Sequence, residues 1–577
     1  MTDATAPTLT VRSLAAGFLL SLVLCGVNSY LTLSFGVIEE GPTIAALFFF
    51  ALFFLSSVRI TTTEMAIVAT MGSAGGSLGF ITNFFAAQAM AGEPYTFWQM
   101  AGFSVVTSLV GMTFVVPLRQ MLILREDLPW PGSKATESVI RALVEKGDPK
   151  QPWYLLASTI GCIVLVVLNT DGGFGVLPDA SELPLFGLAA FGLGIAWSPF
   201  AIGGAYLMGF RVCMGFLAGA IVLLVMAPHV PTPGAPNRYV WPGIGFLLAS
   251  GLVQMALSWR VLVDSFRSLV PRPGQTRTDD DDPVMSGRAL AVFGAVALIV
   301  TAAFSYFAIG LSPLVAVLLI VVAGFLQNVI ATRAAAQTAF NPARVMGVLL
   351  QGVTALAGAP SAAQNLAGAG FVAGSGAQAG NLAGDMAYGR RLKVPSRWQF
   401  WAQLTTIVPC ALVSAWVFTQ LQARQPMTIE GEGLPAPVAK MWAATALIFE
   451  GRTQMPPFAW EALALGALGG ALYVLFERGL DAWHERRTKD LPPDPSRFPL
   501  TELVPHSIGL GIGLVLPVAF DLAFFVGGVL LWIVLGRVLK VREVTLTTIA
   551  VGSIVGEGLG GVLKPLLQMA GLIAGGA

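Results

Sequence analysis

The chain has 577 residues, of which 55% are hydrophobic and only 11% charged, with a net charge of +1. Soluble domains carry about 25% charged residues, so a mean hydropathy of +0.74 over the whole length excludes one anchor on a soluble domain and requires many spans. The near-neutral charge speaks against a nucleic-acid surface or an acidic partner, and four cysteines standing singly give neither a disulfide framework nor a thiolate metal site.

The N-terminus "MTDATAPTLTVR" is short and polar. The apolar run after it, 13–37, is too long for a signal-peptide core and has no clear cleavage site, so it reads as the first span. A bilayer core takes about 20 apolar residues per helix. Spans are expected near 13–37, 42–58, 64–90, 97–118, 151–168, 183–209, 212–228 and 242–263. A polar stretch follows at 265–287, with an Asp run at 279–282 that reads as a solvated linker. Further spans are expected near 289–309, 313–331, 343–358, 362–388, 398–421, 457–476, 503–536 and 544–573. The expectation is an all-α polytopic membrane protein of about 16 transmembrane helices. Its two related halves would be 1–264 and 288–577, joined by a cytoplasmic linker. Segment 503–536 is too long for one perpendicular helix and is broken near Pro517, so a hairpin of two short helices is the alternative. The apolar stretch 435–455 is a candidate for dipping into the membrane.

Cytoplasmic loops collect Lys and Arg. None occurs between Arg59 and Arg119, six occur in 119–150, and none follows until Arg211. The linker region and the clusters at 390–397 and 478–497 are basic too. This bias places the N-terminus and the linker in the cytoplasm. Faint echoes join the halves. Pro199 and Pro517 are each followed ten residues later by glycine, and 128–143 and 393–404 each put proline before a helix-like run. Such duplication is common in transporters, as are interrupted helices.

Glycine recurs every fourth residue at Gly72/Gly76, at Gly376/Gly380/Gly384 and at Gly552/Gly556/Gly560. That spacing lines one helix face and lets another backbone approach. Charge at membrane depth is costly and tends to mark a pathway or a pair. Glu557 lies inside the third stripe, Asp521 between Pro517 and Gly527, and Glu64 opens the span of the first stripe. These three, with Asp385 and Glu450, are the ionisable pathway candidates. Asn28, Tyr30, Asn83 and Asn341 are polar ones, the last at an Asn-Pro step that resembles an interrupted helix. A carboxylate taken out of water holds its proton more tightly, which makes Glu557 the first candidate for proton coupling. Its rival role is an ion pair with Lys564, two turns on.

Six segments, in order, resemble the oligopeptide transporter family: "NSYLTLSFG" (28–36), "LRQMLILREDLPWPGSKATESVIRAL" (118–143), "AYLMGFRVCMGFLAGAI" (205–221), "FNPARVMGVLL" (340–350), "GDMAYGRRLKVPSRWQFWAQL" (384–404) and "GSIVGEGLGGVL" (552–563). Lys134 departs from the small residues usual in the second. The resemblance implies proton-coupled uptake of small peptides or peptide-like metal chelates, about 16 helices and a homodimer in a cell membrane. The lack of long hydrophilic extensions resembles prokaryotic members, hence a bacterial inner membrane. No cofactor, metal site or nucleic-acid partner is expected. A membrane-embedded enzyme is the rival, but the three histidines are far apart and no HExxH, GxSxG or P-loop pattern occurs. A channel would need a filter repeated around a symmetric pore.

Overall fold

The computed structural model describes residues 9–35, 41–54, 60–126, 128, 130–146, 150–169, 173–184, 188, 192–226, 241–257, 282–338, 347–348, 351–352, 354–355, 361–425, 427–429, 434–451, 458–488, 500–569 and 572. Among them nine helices are long and apolar enough to cross a membrane. They are Val11–Phe35, Thr62–Met90, Phe97–Arg125, Gln151–Leu168, Gly287–Ile309, Ser396–Arg424, Ala459–Arg487, Val518–Val538 and Glu543–Lys564. The chain is an all-α polytopic membrane protein. Most of the linker and Asn341 lie outside the described residues.

The centre is built on two long helices with little side chain. They are α3 (Thr62–Met90) and, in the second half, a helix over Ala362–Arg391, buried along almost their whole lengths. Each starts from a hydroxyl N-cap: Thr61 in a capping box with Glu64, and Ser361 bonding the Gln364 N–H. The two run antiparallel. Thr70 meets the Tyr388 hydroxyl at 3.0 Å, Asn381 donates to Ser77 at 2.7 Å, and Gln88 donates to the Ala363 carbonyl at 2.7 Å. Against α3 lies α1 (Val11–Phe35), parallel to it, with Thr10 bonded to Glu64 at one end and Asn83 to Thr32 near the other. Gly75 sits directly against the Ser21 carbonyl of α1, so backbone meets backbone there. The helix α2 (Gly41–Phe54) is short, and Gly41 touches Gly72 at the middle of α3. The residues on both sides of it, 36–40 and 55–59, lie outside the described residues, and the expected span was 42–58.

In chain order α4 (Phe97–Arg119) follows, continued by a π-helical turn. Next comes α5 (Pro131–Lys146), the helix-like run expected after proline in 128–143. Its polar sequence keeps it from spanning; Ser133 bonds the Gly384 carbonyl at 2.7 Å. Then come α6 (Gln151–Leu168), β1 (Ala180–Glu182), β2 (Gly194–Ala196), a π turn Phe200–Gly204 running into α7 (Ala205–Met208), α8 (Phe210–Met226) and α9 (Trp241–Leu257). The second half holds α10 (Gly287–Ile309), α11 (Pro313–Leu318), α12 (Phe325–Thr338), α13 (Ala362–Arg391) and α14 (Ser396–Arg424). It ends with α15 (Pro437–Glu450), α16 (Ala459–Thr488), α17 (Ser507–Gly513), α18 (Val518–Gly528) with a π continuation to Val538, and α19 (Glu543–Met569).

One expected span is overturned. Segment 183–209 is not a helix throughout. β1 and β2 pair antiparallel, with Ser181 opposite Ile195, and the helical run begins only at Pro199. The residue before proline is disfavoured in a helix, and Gly192, at φ +83°, helps turn the hairpin. Apolar composition alone did not show this. Segment 503–536 is the expected pair: α17 and α18 pack on α8 in opposite senses. Gly509 meets Val212 and Gly513 meets Gly219, whereas Phe524 stacks on Phe216 and Gly528 lies on Cys213. The second arm is longer than foreseen. The 435–455 stretch supplies the buried α15. The last Asp of the linker run is anchored: Asp282 accepts from the Ser396 N–H at 2.6 Å and faces Arg119 at 3.6 Å.

The third glycine stripe lies against α6. α19 runs parallel to α6, with Gly552 on Ser158, Gly556 on Cys162 and Gly560 on Val166. A Cβ on Gly556 would lie 2.6 Å from the Cys162 Cβ and 2.7 Å from the Thr159 carbonyl oxygen. Gly556→Leu should therefore lower stability by about 1–3 kcal/mol, read as a fall in detergent Tm; an unchanged Tm would show that the seam is loose. In α3, Gly72 touches Ala45, and Gly76 is buried. The α13 stripe is looser than expected. Gly376 meets side chains of α12, Gln327 and Ala331, at 3.1–3.4 Å, and Gly384 has ordinary contacts with Ser133, while Gly380 is buried. Tighter approaches of α13 are at Gly370 and Gly374, against Phe103 and Thr107 of α4, at Gly368 against Thr354 and at Gly389 against Gln399.

Candidate functional site

The helical run from Pro199 starts deep in the protein. It runs antiparallel to α19: Gly203 lies on Ser553, Gly204 near Ile554, and Ser198 meets Glu557. A helix that begins inside the bundle leaves its first N–H groups without carbonyl partners. Here Glu557 supplies the acceptor. Its carboxylate accepts from the Phe200 N–H at 2.7 Å and from the Ser198 hydroxyl, 2.7 and 2.9 Å from its two oxygens. The Ser198 oxygen in turn accepts from the Ala201 N–H at 3.0 Å. The side chain is buried, in the position where a helix start attracts an anion. The bonds that hold Glu557 thus go to this helix start, and the glycines on either side let α19 reach it between α6 and α1.

α18 lies beside this run and parallel to it. Gly527 sits on the Ile202 backbone, and the Trp532 ring N–H donates to the Tyr206 carbonyl at 3.0 Å. Asp521 lies in its first turn, fully buried where Gly513 and α8 close in; its Oδ1 is 3.3 Å from where a Gly513 Cβ would be. Neither Asp521 oxygen has a hydrogen-bond partner among the described residues. Between the two carboxylates stands an aromatic group. Phe35 at the end of α1 is 4.4 Å from Phe200 and 5.5 Å from Phe520, and Phe524 stacks on Phe216 at 4.3 Å. Pro199 and Pro517 thus open two neighbouring helices: the first receives the Glu557 carboxylate of α19 on its start, and the second carries Asp521.

The other candidates fall elsewhere. Glu64 is buried at the start of α3, where Arg12 donates at 2.6 Å, Thr10 at 2.6 Å and the Thr61 N–H at 3.1 Å. Those are the partners of a cap and an ion pair. Asp385 is buried on α13, where its backbone carbonyl accepts from Gln399. Asn83 donates to Thr32, Asn28 packs beside Gly79, and Tyr30 covers Gly561 of α19. Glu450 ends α15. The structure thus brings Glu557 and Asp521 to one region and leaves Glu64, Asp385 and Glu450 apart from it. Among the described residues no group of three His, Cys, Asp or Glu side chains is placed to hold a metal.

Sequence reading missed several residues. Ser198 is separated from Glu557 by 359 positions. An ionic cluster was missed as well: Arg211 meets Asp481 at 2.9 Å and Glu477 at 3.3 Å, and Glu477 also accepts from the Ser507 N–H at the start of α17. The signal available was charge at the edge of an apolar run, as at Arg211. Gln327 and Gln403, both buried, were not singled out either.

A family model described as OPT oligopeptide transporter protein matches residues 8–567. The chain is 24% identical over 587 aligned residues to a Haemophilus influenzae protein named "Putative oligopeptide transporter", covering 89% of this chain and 88% of that one. It is 21% identical over 566 aligned residues to a Saccharomyces cerevisiae protein of the same designation, covering 76% of each.

Proposed function

Because this chain belongs to the oligopeptide transporter family, we propose that it is a secondary active transporter importing small peptides or peptide-like metal chelates by alternating access, coupled to protons. The observation that carries this reading is the Glu557 carboxylate on the helix start at Ser198 and Phe200. An ionised carboxylate is an acceptor only; once protonated it holds fewer acceptor sites and becomes a donor itself. Protonation therefore loosens the link between α19 and the run from Pro199. Two helices starting at depth are the usual framework of a site that opens to either side. Asp521, in the second of them, is the partner candidate.

Family membership favours a carrier over an enzyme. The starts of α1, α3 and α14 and the ends of α4 and α13 lie at one end of the bundle, along with Arg12, Arg119 and Arg390. By the bias of basic residues this end is cytoplasmic, as is the linker. A bacterial inner membrane and a homodimer complete the proposal.

Purified protein in liposomes, with trialanine as the probe, tests it. Uptake should saturate and exceed the outside concentration when the outside is acidic. Ion current without saturable uptake would overturn the reading in favour of a channel.

A further inference from the structure

Resting on the peptide-transport reading just given, we infer that Gln327, Asn328, Gln378 and Gln403 form a site that grips the backbone of a bound peptide, whatever its side chains. The four amides stand on α12, α13 and α14 and are at most 1% exposed. Three of them meet at one stretch of α13, and the fourth stands on α14, which packs on the same core. Asn328 donates to the Ser375 hydroxyl at 3.0 Å, and the Gln327 Nε2 lies 3.1 Å from where a Gly376 Cβ would be. One turn on, Gln378 crosses α4 at Gly111, its Cβ 2.8 Å from the glycine's Cβ position. Gln403 lies between Phe400 and Ile407 of α14, which share a core with Met112 of α4 and Ala379 and Ala383 of α13.

Their hydrogen-bonding capacity is largely unused. Among the described residues, neither the side-chain nitrogen nor the oxygen of Gln327, Gln378 or Gln403 has a partner, and the Asn328 Oδ1 has none. Buried polar groups are rarely left so, and each such group calls for an explanation. The chemistry of the group selects its ligand. An amide offers donors and an acceptor without charge. That is the complement of a peptide unit, with its own N–H and C=O. Carbonyl oxygens also serve hard cations, but such sites include carboxylates, and none of these four side chains is one. One turn of α13 is about 5.4 Å, and an extended chain advances about 3.3 Å per residue. Amides about one turn apart therefore span one to two residues of an extended chain, so the grip suits short peptides. The seam is able to open here. The contacts at Gly376 are side chains rather than backbone, Gln327 and the Ala331 methyl, and the Asn328–Ser375 bond is a single hydroxyl contact.

The test compares trialanine with its analogue methylated on the amide nitrogen of the middle residue, which lacks one donor. The assay is uptake into proteoliposomes. Wild type should take up trialanine with a KM about tenfold below that of the analogue. Ala-Lys-Ala and Ala-Glu-Ala should compete within about threefold of trialanine. Gln378→Met and Gln403→Met, checked for folding by monodispersity and Tm, should raise the trialanine KM severalfold, leave the analogue's KM unchanged and spare kcat. Equal KM for trialanine and its analogue in wild type would overturn the site without needing a variant. So would an unchanged KM ratio in folded variants, which would leave the amides a packing role. Absence of any saturable trialanine uptake by wild type would instead overturn the peptide-transport reading on which the site rests.

Discussion

Glu557→Gln is expected to fold and to exchange bound substrate across the membrane, yet to lose accumulation driven by a pH gradient. The replacement is nearly isosteric. A glutamine oxygen still accepts from the Phe200 N–H, and its amide nitrogen donates to the Ser198 oxygen, so the helix start at 198–200 stays covered. What is lost is the ability to pick up and release a proton. One pH unit supplies 1.36 kcal/mol per proton, or about tenfold accumulation for each proton carried. With the membrane potential clamped, since each charge moved responds to about 2.3 kcal/mol per 100 mV, wild type should concentrate substrate about tenfold per pH unit. Glu557→Gln should stop near equal concentrations. Ser198→Ala is the companion variant. It removes one donor to the carboxylate and the cap on Ala201, costing about 1 kcal/mol, and should shift the pH profile of uptake without abolishing it. A folded Glu557→Gln protein that accumulates substrate like wild type would rule Glu557 out as the coupling site.

Much of this arrangement was legible in the sequence, for a physical reason. A span must be apolar over about 20 residues and a buried charge there is rare, so composition alone marks α1, α3, α4, α14 and α19 and flags Glu557, Asp521 and Glu64 alike. The glycine spacing gave the α6–α19 contact on the α19 side, because backbone approach needs missing side chains on one face. What composition does not carry is where an apolar run breaks. Segment 183–209 is as apolar as a span, and only pairing between β1 and β2 shows that its first part is a hairpin. Nor does it carry partnership. Glu64 and Glu557 look alike in sequence, each a carboxylate beside a glycine stripe. Arg12, from another helix, makes the first an ion-paired cap, and Ser198, from a hairpin, makes the second the anion on a helix start. The same holds for Gln327 and Gln403, whose polarity is ordinary until their neighbours are known to leave them unbonded.

Asp521→Val should raise stability and abolish uptake, the opposite signs expected of a group kept for function. Valine is close to aspartate in size, so it adds little volume against Gly513 and Phe216, where a larger side chain would crowd. It removes two buried oxygens that have no partner among the described residues. A buried polar group left unsatisfied costs about 1–3 kcal/mol, and an ionised one costs more unless it is paired. Removing the carboxyl should therefore raise the detergent Tm by an amount equivalent to about 1–3 kcal/mol. Asp521→Asn, which keeps a polar group of the same shape, should leave Tm nearly unchanged. If Asp521 moves to a wetter setting when the bundle reopens, taking or giving a proton as it does, both variants lose pH-driven uptake while the seams of α18 on α8 and on the Pro199 run stay intact. The stability arm and the transport arm separate the possibilities. A fall in Tm for the valine variant would mean that the carboxyl is bonded and structural. A rise in Tm with full pH-driven accumulation would mean that it is buried without serving transport. Only a stable protein that no longer concentrates substrate places Asp521 in the cycle beside Glu557.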